Sequence, residues 1–192
     1  MKNCYNFKDV YEQSLYGVNI VMEYLYLLKN TVYVQDVQDI KEFQKKDIDL
    51  LRYVEEDTGE IVEEKIEIKM DTYYYRSQNI YAETISNANK NTKGCFLLTE
   101  CDYLYYLFIP GYILYKIPMK IVKPWFLDNI DNFKESSITK TINDNNEILY
   151  GSKGRLIPRN IIEKVPDVEK ISLLKYSKMR KIKDNAKLRI VN

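Results

Sequence analysis

The sequence predicts an α/β protein with a mixed central sheet of about five strands flanked by helices. Three patterns carry that expectation. One is a long apolar stripe at three- and four-residue spacing near the N-terminus. The second is a series of short β-branched and aromatic runs separated by turn residues. The third is a further helical stretch after the strongest of those runs. A chain of 192 residues is long enough to bury a core, and one domain is the default organisation.

Phe7, Val10, Tyr11, Ser14, Leu15, Val18, Val21, Met22, Leu25 and Leu28 form one stripe of an amphipathic helix over 7–29, closed by Asn30. A strand over 31–35 follows. Strands over 48–55 and 61–70 flank Asp57-Thr58-Gly59, where Gly59 suits a left-handed position in a three-residue turn with a bulge. The pattern continues with a strand over 79–86 and a polar loop over 87–93. Runs over 95–98, 101–109 and 112–117 read as strands, the last two joined across Pro110-Gly111. Residues 119–133 read as a helix despite Pro124.

Beyond 134 the periodicity weakens, so the expected core is 7–133 with a C-terminal extension over 134–192. Within the extension, 138–142 reads as a strand, 144–146 as a turn, 151–154 as a loop and 160–164 as the start of a short helix. Residues 170–192 hold eight Lys/Arg against one acid, which describes a basic helix or tail.

With 29 Lys/Arg against 28 Asp/Glu, the charges nearly cancel, so nucleic-acid binding by bulk electrostatics is not indicated. A local basic surface around an acidic site is still compatible. The chain has no histidine, which removes Ser-His-Asp and Cys-His catalysis and the usual imidazole-containing zinc and iron sites. The remaining chemistry runs on carboxylates, Lys, Tyr, hydroxyls or a hard cation, and Mg²⁺ with its preference for oxygen suits that inventory. Cys4, Cys95 and Cys101 form no CxxC pair, so free thiols are expected rather than a disulfide framework. The opening residues lack a signal-peptide core and no apolar run reaches a membrane span, so a cytoplasmic protein with no membrane partner is expected. The eighteen tyrosines follow from AT-rich codon usage as readily as from function.

Strand alternation supplies the chemistry. Glu67 and Lys69 in KIEIKMD lie two apart and share one face, while Ile66, Ile68 and Met70 face the other way. With the turn at 57–59, Glu56 stands opposite Glu60 and Asp49 opposite Glu67. Two carboxylates so placed repel unless a cation lies between them, which builds a divalent metal site with Lys69 beside it. A two-residue turn would send Asp49 to the opposite face. Asp47 shares a face with Asp49 and is the alternative ligand. Asp49 is preferred because the apolar run begins right after it.

In their order along the chain, the leading helix, DIDLL with Asp49, EIKMD with Glu67 and Lys69, NIYAE with Glu83, and CDYLYYLF with YILYKIP resemble the PD-(D/E)XK nuclease superfamily, in particular its small phage-type members. The likeness spans roughly residues 8–120, with a fainter continuation in GRLIPRNII. It implies a restriction-endonuclease-like core and a Mg²⁺- or Mn²⁺-dependent nuclease acting on DNA, with branched or recombination intermediates as the expected substrates. By that resemblance Asp49 and Glu67 bind the metal, and Lys69 orients or helps deprotonate the attacking water. Glu83 is then an auxiliary acid, with Gln78 and Asn79 near the substrate. Family members that cut two strands are often dimers, so a homodimer comes with the resemblance, although no self-complementary surface is legible. One departure stands out: relatives carry an acid on the first helix, often after a glycine, and here Gly17 is followed by Val18. Glu12 and Glu23 on the polar face are the substitutes available, and both also read as solvated helix charges.

Lys153 and Arg155, flanking Gly154, are candidate phosphate contacts in a loop. The tyrosines at 73–75 and 103–106 are candidates for stacking on bases, or for packing a sheet face. Two rivals to the nuclease follow from the same residues: a non-catalytic nucleic-acid-binding protein on the same fold, and a phage-encoded interaction protein such as an inhibitor.

Overall fold

The computed structural model describes residues 4–72, 78–109, 111–176, 178, 179 and 181. A short strand, β1 (Cys4–Asn6), leads into helix α1 (Phe7–Leu25). The Asn6 side chain caps the helix by accepting from the Lys8 N–H at 2.8 Å, and Asp9 lies in the first turn, where it complements the helix dipole. Strands β2 (Thr31–Asp36), β3 (Leu50–Glu55) and β4 (Ile61–Asp71) then form an antiparallel meander, with the single turn α2 (Lys41–Gln44) between the first two. The turn at 57–59 is as the sequence predicts. Gly59 has φ +82°, and the pairing of Leu50 with Ile66 and Glu55 with Ile61 follows the expected register.

After β4 come β5 (Asn79–Asn87), β6 (Thr92–Lys93) and the short helix α3 (Cys95–Leu98). Strand β7 (Tyr103–Phe108) then returns parallel to β4, and β8 (Ile113–Pro118) pairs with β7 antiparallel. Helix α4 (Met119–Asp128) precedes β9 (Lys134–Glu135), β10 (Thr139–Ile142), β11 (Ile148–Pro158), α5 (Arg159–Ile162) and β12 (Glu169–Ser172).

The architecture is mixed α/β, but it holds two mixed six-stranded sheets where the sequence predicts one of about five strands. The first runs β12-β8-β7-β4-β3-β2, and the second runs β1-β10-β11-β5-β6 with β9 also on β11. The difference comes from residues 134–172, expected as an extension. They supply half the strands of the second sheet and an edge strand of the first.

Local expectations are corrected for the same physical reasons. Residues 151–154 are not a loop but the middle of β11. A Cβ on Gly154 would sit 2.4 Å from the Ala82 carbonyl, so this glycine marks close backbone approach rather than a turn. Residues 95–98 are helical, and four apolar residues carry no period to separate that from a strand. The start of the expected basic tail is β12, paired with β8. Helix α4 stops at Asp128 and is followed by a 3₁₀ turn over 130–132.

Helix α1 ends at Leu25, and its apolar stripe is not buried throughout. Gly17, Val18, Ile20, Val21, Tyr24 and Leu25 are buried, whereas Phe7 (48 %) and Tyr11 (52 %) are exposed. The buried half lies against Ile66, Ile68 and Met70 of β4, and a Cβ on Gly17 would come within 3.2 Å of Met70 Cβ. On the other face of the same sheet, Leu51, Leu104, Tyr106 and Phe108 pack with Ile80, Ala82 and Ile157 of the second sheet and with Phe96, Val122 and Phe126 of α3 and α4. Tyr105 and Tyr106 are both core residues, while the tyrosines at 73–75 lie outside the described residues. Among the described residues, no helix is long and apolar enough to cross a membrane.

Buried Arg52 ties the meander to the connection that follows α1. Its guanidinium donates to Thr31 Oγ1 at 2.9 Å, Asn30 Oδ1 at 2.8 Å and Glu64 Oε2 at 2.8 Å. Arg52→Ala leaves Glu64 without its partner and is expected to cost about 3 kcal/mol or more in chemical denaturation. Gly59→Ala, strained by its positive φ, should cost roughly 1–2 kcal/mol and serves as the smaller benchmark.

Candidate metal centre

Asp49 occupies the point where β3 begins. The last ladder pair is Leu50–Ile66, so Asp49 does not face Glu67 across the ladder as the sequence predicts. Instead its N–H donates to the Ile66 carbonyl at 2.8 Å and its Oδ2 accepts from the Ile68 N–H at 2.8 Å. Backbone and side chain of Asp49 therefore bracket Glu67. The ladder cannot continue because Asp47 has φ +48° and Ile48 turns into the core. The Asp49 carboxylate replaces the strand carbonyl that the Ile68 N–H would otherwise meet.

Alternation along β4 puts Glu67 and Lys69 on the face turned toward the second sheet. Glu67 is 4 % exposed, and its Oε1 lies 2.7 Å from Lys69 Nζ. The Lys69 side chain is 42 % exposed, so the buried acid reaches solvent by way of the ammonium. Glu83, on β5, brings an acid from the second sheet to the same place and accepts from the Cys95 N–H at 3.4 Å. A Cβ on Gly94 would lie 2.4 Å from the Glu83 carbonyl, so the glycine lets the α3 entry close onto β5.

The electrostatics follow from this crowding. Burial, reinforced by Asp49 and Asp47, pushes the Glu67 carboxyl up to about 8 against the pull of Lys69. Burial likewise raises Asp49, Asp47 and Glu83, and Lys69 opposes the rise in each case. Asp49 is also held down by its bonds to the Ile68 N–H, Gln38 and the Glu67 carboxyl. Partial burial works against the charge on Lys69, but the Glu67 and Asp49 carboxylates hold its pKa well above the usual value. Cys95 is raised by burial and is a neutral thiol.

The structure thus brings Asp49, Glu67, Lys69, Glu83 and Asp47 together. Glu12 is elsewhere, exposed on α1, which packs against the opposite face of the sheet. Glu23 pairs with Lys178. Gln78, at the start of β5, is held by Arg159, whose backbone N–H meets the Gln78 carbonyl at 2.8 Å and whose guanidinium donates to the side-chain oxygen. Asn79 pairs with Pro158. Lys153 and Arg155 are strand residues, the first bonded to Glu135 at 2.6 Å and the second to the Phe133 carbonyl at 3.0 Å.

Three neighbours escaped sequence reasoning. Gln38 Nε2 donates to Asp49 Oδ1 at 3.3 Å, Cys95 adjoins Lys69, and Lys123 acts on Asp47 while donating to the Thr99 carbonyl at 3.1 Å. Gln38 and Lys123 lie in polar stretches with no distinctive spacing, and Cys95 reads as a small hydrophobe.

Two buried, converging carboxyls fit a hard divalent cation, because the charge that burial suppresses on Glu67 is the charge such an ion compensates. Among the described residues, no group of three or more His, Cys, Asp or Glu side chains is arranged to hold a metal ion. No family model, curated protein or solved structure matches the chain.

Glu67 makes a testable contribution to stability. Its folded-state pKa of about 8 lies above the usual 4.5, so the fold favours the protonated acid. That contribution is complete below about pH 4.5 and is lost as pH rises toward about 8. In chelator-treated buffer the melting temperature should fall across this window, and Glu67→Gln should flatten the fall. An equal slope in both proteins refutes the assignment.

Proposed function

We propose that the chain is a Mg²⁺- or Mn²⁺-dependent nuclease that hydrolyses DNA phosphodiester bonds. The observation that carries this reading is the bracketing of Glu67 by Asp49 with Lys69 at 2.7 Å, on the last strand of a meander, which a parallel partner joins. The order α1, β2, β3, β4, α3, β7, with β7 parallel to β4, supports a restriction-endonuclease-like core within the larger two-sheet assembly. The PD-(D/E)XK resemblance supports the same assignment, and branched or recombination intermediates are the substrates it suggests.

Asp49 and Glu67 would hold the cation through their carboxylate oxygens. When bound, Mg²⁺ or Mn²⁺ supplies positive charge that makes a water nucleophile more acidic and stabilises negative charge growing on the phosphate. Lys69, half in solvent, orients the attacking water and offsets charge on the scissile phosphate. Glu83 acts from the second sheet on the same ammonium and limits its freedom to swing away.

A second reading, a non-catalytic nucleic-acid-binding protein, is favoured by one observation. Val18 stands where the PD-(D/E)XK resemblance implies a helix acid, and Glu12 lies across the sheet. Plasmid, single-stranded and four-way-junction DNA incubated with Mg²⁺ or Mn²⁺ separate the two. Wild type should cleave at least one of them, and Glu67→Ala and Lys69→Ala should each lower the rate by about 10²-fold or more. DNA binding without cleavage, unchanged by either substitution, would establish the second reading. Neither cleavage nor binding would point to the protein-interaction role.

A further inference from the structure

We infer that Gln38 is the third protein ligand of the cation, its amide oxygen completing a set begun by Asp49 and Glu67. The inference rests on the metal-dependent reading above and adds to it a neutral residue that no acid-based motif would select.

Three observations converge on Gln38. Its backbone is fixed beside the site: the Val37 N–H donates to the Asp49 carbonyl at 2.9 Å, the Gln38 N–H to Asp36 Oδ1 at 3.0 Å, and Gln44 Nε2 to the Gln38 carbonyl at 2.6 Å. Its side chain reaches Asp49, with Nε2 at 3.3 Å from Oδ1, a long contact for a donor facing a carboxylate. Its Oε1 is sealed from solvent and has no hydrogen-bond partner. A buried amide oxygen left unsatisfied is unfavourable and calls for a specific explanation. The orphan atom belongs to the amide that touches the Asp49 carboxylate. It is also the atom type that Mg²⁺ and Mn²⁺ accept alongside carboxylates. Rotation of the amide about its terminal bond exchanges its oxygen and nitrogen, so the side chain that donates its N–H group to Asp49 turns its oxygen to that position when a cation is held there.

The arrangement also accounts for the missing third acid. Among the described residues, no third Asp or Glu joins Asp49 and Glu67 in a metal-holding group, and α1 packs on the opposite face of β4. A third carboxylate would add like charge to a site where burial and Asp49 already push Glu67 up to about 8. An amide adds an oxygen ligand without that repulsion.

Calorimetric titration of the full chain with Mn²⁺, beside Gln38→Ala, Gln38→Glu and Glu67→Ala, tests the assignment, with metal-free melting curves verifying that each variant folds. Wild type should bind, and Glu67→Ala should lose binding. Gln38→Ala should weaken binding by about tenfold or more. Gln38→Glu should tighten it, because a carboxylate facing the ion is a stronger ligand than an amide. If Gln38 acted solely as a donor to Asp49, both substitutions would weaken binding. That result overturns the inference and leaves the metal reading intact, as does an unchanged dissociation constant in both variants. Failure of wild type to bind millimolar Mn²⁺ overturns the metal reading itself, and the ligand role of Gln38 with it.

Discussion

Strand β4 must satisfy opposite environments on its two faces, and most of the molecule is arranged to let it do so. Ile66, Ile68 and Met70 meet the buried half of α1, while Glu67 and Lys69 face the second sheet. A strand enclosed on both faces normally reads as continuously apolar. Here the alternation persists because the polar face closes onto other polar groups, namely Asp49 at one end of β3 and Glu83 on β5. The acids are forced together by the packing of two sheets. Their mutual repulsion is moderated chiefly by the Lys69 ammonium, which stays in contact with water, with Lys123 acting on Asp47.

Much of this was legible in the chain, and what was legible shares a cause. The turn at 57–59, the register it sets and the shared face of Glu67 and Lys69 all depend on local spacing, and a period of two survives in a strand of eleven residues. The convergence of Asp49 on Glu67 was legible in outcome but not in route. The sequence suggested a cross-strand pair, whereas the left-handed Asp47 ends the ladder one step early and the carboxylate takes a backbone role.

The second sheet was the main omission. Its strands pair β5 with β11 and β10 with β1, contacts between segments separated by about seventy and more than a hundred residues, which leave no periodic trace in either partner. Gly151 and Gly154 reinforced the error, since two glycines three apart look like a loop until the neighbouring backbone is seen. Gln38 was invisible for a related reason. It lies eleven residues from Asp49 across a short helical turn, and an amide in a polar stretch carries no signal of its own.

The absence of side chains at Gly94 and Gly154 has a consequence for the acid carried between them. Both glycines press bare backbone against β5, at the carbonyls of Glu83 and Ala82, with room for less than a methyl group on either side. A strand gripped in this way has little freedom to slide or bow outward. Glu83 is therefore placed by a vice of main chain in addition to the bond its carboxylate accepts from the Cys95 N–H. Variation that retunes this acid acts through the side chain or the groups beside it, such as Lys69, because the jaws leave the strand nowhere to go.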